Sequence, residues 1–279
     1  MRRLIYYLFT FILIVACNNE QDQVTTFPYE KLFSENLKCM NMPRPNGSYN
    51  YPIYPGMDEW SKFNTGQQMV EACQIPKEIV SQMSTQALVQ AIWEHPLLWE
   101  IFHRFQYQSD FESIFFDNNA YMELTKHADA GSILLKRLEL AIPLAPAPRS
   151  ETHLLELLIS QPIFLSQLNN DAKIKVVEIA FQNDSLRKNE IPLNTFMNYN
   201  GIITSLLIGR AMVAANYITF LEVVNNHEEL KFYLGGWYPK GTFEYQEHAI
   251  AISYNSPQYD DIQMYIERIG KQFLTENKK

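Results

Sequence analysis

Cysteine is scarce in this sequence: three residues in 279, at Cys17, Cys39 and Cys73. No pair is spaced C-x-x-C, and no Cys/His set has zinc-ligand spacing, so no metal centre is expected. Glycine is scarce too, with ten residues. The phosphate loops G-x-G-x-x-G and G-x-x-x-x-G-K-[ST] are missing, as are G-x-S-x-G and H-E-x-x-H. Dinucleotide, P-loop, α/β-hydrolase and zincin chemistry are therefore not expected. Positive charge is sparse and scattered, 23 Lys+Arg against 31 Asp+Glu. Nucleic-acid binding works by displacing counterions from a basic footprint. With no Lys/Arg cluster here, nucleic acid is not an expected partner.

Fragments of catalytic motifs occur without their companions. Ser185-x-x-Lys188 follows Ser48-x-Asn50, the reverse of the order in penicillin-recognising enzymes, and Lys240-Gly241-Thr242 scrambles their K-T-G. Glu100-x-x-His103 has no second copy, and a di-iron bundle needs two plus two more glutamates. His95 and His103 share a helix face, but two turns separate them by about 12 Å, too far for one metal. No catalytic residue, cofactor or metal is assigned, and the chain is not read as an enzyme. Asp184-Ser185-Leu186 resembles a short bacterial O-glycosylation sequon, and a solvated loop is the simpler reading.

What is present begins at the N-terminus. Met1-Arg2-Arg3 is followed by the apolar run Leu4–Ala16 and by Cys17. A cationic start, an apolar stretch and small residues before a cleavage point make a secretory signal. Its 13 residues fall short of the ~20 that span a bilayer. Val15-Ala16-Cys17 resembles the bacterial lipobox. That resemblance implies cleavage after residue 16 and a diacylglycerol on the Cys17 thiol. Each buried CH₂ contributes ~0.8 kcal/mol, so two or three acyl chains anchor firmly where one does not. With Arg2 and Arg3 removed, 21 Lys+Arg remain against 31 Asp+Glu, a net charge of −10. Such a body gains little from anionic lipid, so the lipid on Cys17 carries the membrane contact. Cys39 and Cys73 remain. Outside the inner membrane a disulfide between them is allowed, closing a loop of about 35 residues and contributing ~3–4 kcal/mol. Two separate buried thiols are the alternative.

Residues 17–26, the lipidated cysteine and NNEQDQVTT, are polar and aperiodic and read as a tether. Residues 27–65 carry Pro28, Pro43, Pro45, Pro52 and Pro55 among Tyr49, Tyr51, Tyr54 and Trp60. Proline fixes φ and removes a donor, so this stretch reads as an extended arm laid across the body. From residue 66 to 279 the apolar spacing is helical. At 47% hydrophobic and 13% aromatic, the chain can fill one large core. Pro76 suits a first helical turn, Ser84 an N-cap, and Pro96 the start of a further helix. Residues 142–150, IPLAPAPRS, interrupt the pattern. Ser256-Pro257 opens a last helix with Tyr259, Ile262, Ile266, Ile269 and Phe273 on one stripe.

A period of 66 residues runs through this region. Leu88 aligns with Leu154 and Phe220, Ile92 with Leu158 and Val224, and Pro96 with Pro162. Gln90, Glu156 and Glu222 also share a register and are expected on the solvent side. A unit of that size holds two helical hairpins, the scale of an α-solenoid. The predicted fold is therefore all-α, a helical-repeat body behind an extended Pro/Tyr-rich arm.

Five short motifs support one resemblance. Tyr51-Pro52-x-x-Pro55-Gly56-x-x-Glu59-Trp60, Ala72-Cys73-Gln74-Ile75-Pro76, Met83-Ser84-Thr85, Pro96-Leu97 and Asp129-Ala130-Gly131 resemble a set of uncharacterised Bacteroidota lipoproteins. The resemblance covers about residues 43 to 230. It implies an outer-membrane or cell-surface lipoprotein of such a bacterium and brings no activity and no catalytic residues. The expected function is that of a membrane-anchored scaffold presenting a helical surface to an envelope protein or peptide. The alternative is a glycan-binding accessory or small envelope enzyme. Its candidate ligand-stacking residues are Trp60, Trp237 and Tyr238, which lie in Pro/Gly-rich chain where loops often carry function.

Overall fold

A computed structural model describes residues 44–102, 107–141, 149–190, 201–235 and 257–277. Among these residues the protein is all-α, with thirteen α-helices, two 3-10 segments and no strand. Residues 44–59 contain no helix, and the 3-10 segment Trp60–Lys62 follows them. Helix α1, Gly66–Ala72, starts where the helical spacing begins. Thr65 accepts from Gln68 N while the Gln68 side chain accepts from Thr65 N, a complete capping box. Pro76 precedes α2, Lys77–Val80, and serves as its N-cap rather than its first residue.

Helix α3, Thr85–Trp93, is capped by Ser84, whose hydroxyl accepts from Ala87 N. The 3-10 segment Leu98–Phe102 follows Pro96. Then come α4, Tyr107–Phe115, α5, Asn119–Leu124, and α6, Ala130–Ala141. Helix α7, Arg149–Ile159, takes in Ser150, so the Pro-rich interruption is shorter than expected. Pro162 opens α8, Pro162–Leu165, in the first turn, where its missing N–H costs nothing. Helix α9, Asn170–Glu190, is one of the two longest.

Helix α10, Gly201–Ala214, is apolar apart from Thr204, Ser205 and Arg210, and Ile202 to Val213 are all buried. A helix hydrophobic all round belongs inside a core. It packs against α7, α9 and α13 and also touches α8, α11 and α12. Helices α11, Ile218–Asn226, and α12, Glu228–Leu234, turn a corner at His227. Helix α13, Pro257–Asn277, lays Ile262, Ile266, Ile269 and Phe273 on the core, as its stripe predicted. Helix α3 contacts α6, α6 contacts α7, α7 contacts α10 and α10 contacts α13. One continuous core runs from Tyr51 to Phe273.

The six apolar positions of the 66-residue register are all buried. Two of its three polar positions are not where amphipathicity put them. Gln90 and Glu156 are fully buried, and Glu222 alone is exposed. The reason is that α3 and α7 are enclosed rather than laid on a surface. Helix α3 packs on α5 and α6, and α7 lies between α6 and α10. Asp184 and Ser185 also depart from expectation. They lie inside α9, with Asp184 buried, not in a solvated loop. Among the described residues no single helix is long and apolar enough to cross a membrane.

Candidate functional site

Two pairs of the sequence motifs come together: Tyr51 lies beside Cys73, and Thr85 bonds Asp129. Glu94 is the C-cap of α3 and is almost fully buried. A carboxylate there faces desolvation and the negative end of the helix dipole, so it needs a cation. Arg44 supplies it. Its Nε donates to Glu94 Oε1 at 2.9 Å and to Oε2 at 3.2 Å, and one terminal nitrogen donates to Oε2 at 2.8 Å. That nitrogen also donates to the Tyr49 carbonyl at 2.8 Å. Gln90 Nε2 donates to Glu94 Oε1 at 2.8 Å, and Arg137 donates to Gln90 Oε1. The Arg137 guanidinium lies 5.2 Å from the Trp93 ring centroid. A polar chain thus crosses α3 from Arg44 to α6.

Tyr51 seats beside this chain. Its ring meets His95 edge-on at 5.6 Å, with Tyr49 at 5.1 Å and Tyr54 at 6.3 Å on the outside. Its hydroxyl is buried and has no hydrogen-bond partner among the described residues. Burial, with Cys73, Tyr54, Tyr49 and Glu94 nearby, pushes its ionisation well above the usual phenol range. His95 accepts from Leu97 N at Nδ1, 3.2 Å, and its Nε2 lies 3.2 Å from the Asn118 side-chain amide. Burial lowers its basicity to about 3, so the ring is neutral. The neighbouring Cys73 is a buried thiol, pushed up to about 12 by desolvation. Such a thiol is inert rather than nucleophilic.

Other motif residues are tied by side-chain clasps. Asn119 N donates to Gln74 Oε1 at 2.9 Å and Ile75 N donates to Asn119 Oδ1 at 3.1 Å. Thr85 Oγ1 donates to Asp129 Oδ1 at 2.6 Å and lies 2.9 Å from His127 Nδ1. A hydroxyl has one hydrogen, so His127 must donate in the second bond. The hydroxyl therefore sits between the imidazole and the carboxylate. A nucleophilic triad has the imidazole in the middle, so this cluster is a clasp between the starts of α3 and α6.

Two further polar clusters lie deeper. Glu156 of α7 accepts from Asn183 Nδ2 at 3.0 Å and Thr204 Oγ1 at 2.8 Å, joining α9 and α10. Arg210 of α10 is fully buried and makes no ion pair with a described carboxylate within 4.0 Å. Instead it donates to the Leu234 carbonyl at 2.8 Å, to Gln108 Oε1 at 3.0 Å, to Ser160 and to the Gly235 carbonyl. Burial lowers its ionisation to about 10, with Glu112 and Tyr121 opposing. It remains charged and is solvated by helix-end carbonyls. No group of three or more His, Cys, Asp or Glu among the described residues could hold a metal.

Of the residues singled out from sequence, Trp60 is half-buried, edge-on to Phe63 at 5.5 Å and packed against the core. Cys17, Cys39, Trp237 and Tyr238 lie outside the described residues. Sequence reasoning missed Arg44, Glu94, Gln90, Glu156 and Arg210. For Arg210 a signal existed, the one charge in the mostly apolar run 201–214. Compared with protein-family models, curated proteins and solved structures, the chain matches none.

Proposed function

We propose that the protein is a lipid-anchored helical scaffold of a bacterial envelope, held by acyl chains on Cys17 and presenting its stacked helices to a protein or peptide partner. The observation that carries this reading is the run Met1–Cys17, with its cationic start, short apolar stretch and cysteine after Val15-Ala16. The sequential packing of α3, α6, α7, α10 and α13 supports a repeat-type body. So do the matching places, one period apart, of α3, α7 and α11 in the chain. The polar clusters of the described residues support a scaffold by joining helices to one another rather than converging on a reacting centre.

The test is fractionation of cells producing the chain or its Cys17→Ala variant. The parent should stay with membranes after a carbonate wash, and the variant should move to the soluble fraction. A variant that still pellets overturns the anchor. Crosslinking before detergent extraction should then join the parent to an envelope protein. Recovery of uncrosslinked monomer alone counts against the scaffold.

A further inference from the structure

The arm around Arg44 and Tyr51 sits on the body as an extended peptide ligand sits in a socket. Among the described residues, the backbone hydrogen bonds of 44–56 stay local: Ser48 N donates to the Pro45 carbonyl and the Tyr54 carbonyl accepts from Met57 N. Contact with the body runs through side chains. Arg44 forks onto Glu94, and Tyr51 fills the space against His95. Glu94 has no other cationic partner among the described residues. Vacating the socket would strand a buried carboxylate at a helix C-terminus, so an empty socket selects for an arginine. Three prolines, Pro45, Pro52 and Pro55, fix φ along the segment and keep it from forming a helix. Its fit is also imperfect, since the buried Tyr51 hydroxyl lacks a partner among the described residues.

The occupant whose complementarity to the socket is on view is the arm itself. We propose that the socket formed by Glu94, His95 and Gln90 also accepts residues 44–54 of a second copy of this chain, so that two copies pair by exchanging arms. Exchange reproduces every arm contact between copies and adds no new interface, which makes it a low-cost route to a dimer. The proposal is independent of the acyl anchor, because it concerns only the folded body and the arm.

Charge exchange tests it with full-length chains in detergent. In R44E the arm and its own socket are both acidic, and in E94R both are basic. Neither variant can satisfy its own socket, but each arm complements the other's. Tagged R44E is used as bait against untagged E94R, untagged parent and untagged R44E. E94R should be retained at least ten-fold more than R44E. The parent should be retained to an intermediate degree, since its Arg44 fits the bait's vacant Glu94. Equal retention of E94R and R44E, or retention of neither, overturns the proposal. Should E94R fail to fold by circular dichroism, the parent against R44E decides, and no difference between them overturns it.

Discussion

His95 is a buried imidazole whose surroundings refuse a proton. Its folded value of about 3 lies below the ordinary 6.5. Between those two values the unfolded chain binds a proton that the folded chain does not. Stability therefore falls as pH drops through that window, by up to about 1.4 kcal/mol per unit, and is recovered above pH 6.5. Denaturant titrations at pH 7, 6, 5 and 4 should show this fall in the parent. In His95→Gln the loss between pH 6 and 4 should be shallower by about that slope. An identical slope would mean His95 is protonated in the folded state. Cys73 gives a second test. With its thiol pushed up to about 12, it should resist a thiol reagent at pH 8 in the folded chain and react on unfolding without reductant. Silence on unfolding would instead indicate a disulfide.

Glu156 shows what sequence reading could and could not see. Periodicity found α3, α7 and α13 through their apolar residues, and capping chemistry found Thr85 and Pro257 as helix starts. Polar residues were placed outside because an amphipathic pattern assumes one wet face. Glu156 breaks that assumption by satisfying its carboxylate internally, with Asn183 and Thr204 from residues 27 and 48 positions away. Pairings at such separations leave no mark on local spacing. Glu156→Ala should therefore cost about 2–6 kcal/mol, from two stranded partners at ~1–3 kcal/mol each. Glu222→Ala, at the same register but exposed, should stay within about 0.5 kcal/mol. Equal effects in urea titrations would remove the internal role of Glu156.

Among elements, close approach of helices is set by a few small residues. A Cβ on Gly131, in the first turn of α6, would lie 2.5 Å from the Phe164 carbonyl of α8. Backbone must move to admit it, so Gly131→Ala should cost about 1–3 kcal/mol despite alanine's better helix propensity. Gly66, with open space around it, is the control, and Gly66→Ala should be neutral or slightly stabilising. A neutral Gly131→Ala would mean that α6 and α8 do not meet this closely.

At the scale of the whole molecule, the order of packing predicts an order of opening. Helix α10 is enclosed on every side, whereas residues 44–62 have few buried groups. Amides of residues 202–213 should exchange with solvent only through global unfolding, and those of 44–62 should exchange orders of magnitude faster. Exchange of α10 as fast as the arm would show that the core is not one cooperative unit.

The Arg44–Glu94 fork also fixes where mechanical load enters the fold. Any tension applied from the N-terminal side reaches the described body first at this ion pair, then at Tyr51, and only later at α1. Both contacts are point attachments through single side chains, so they fail one at a time, as a zipper opens, instead of shearing together. In a single-molecule stretching experiment the arm should peel at low force, releasing about 20 residues of slack at up to ~3.6 Å each, while the helical body still holds its full length. Under such a load the described fold would thus yield at its first clasp and spare its core.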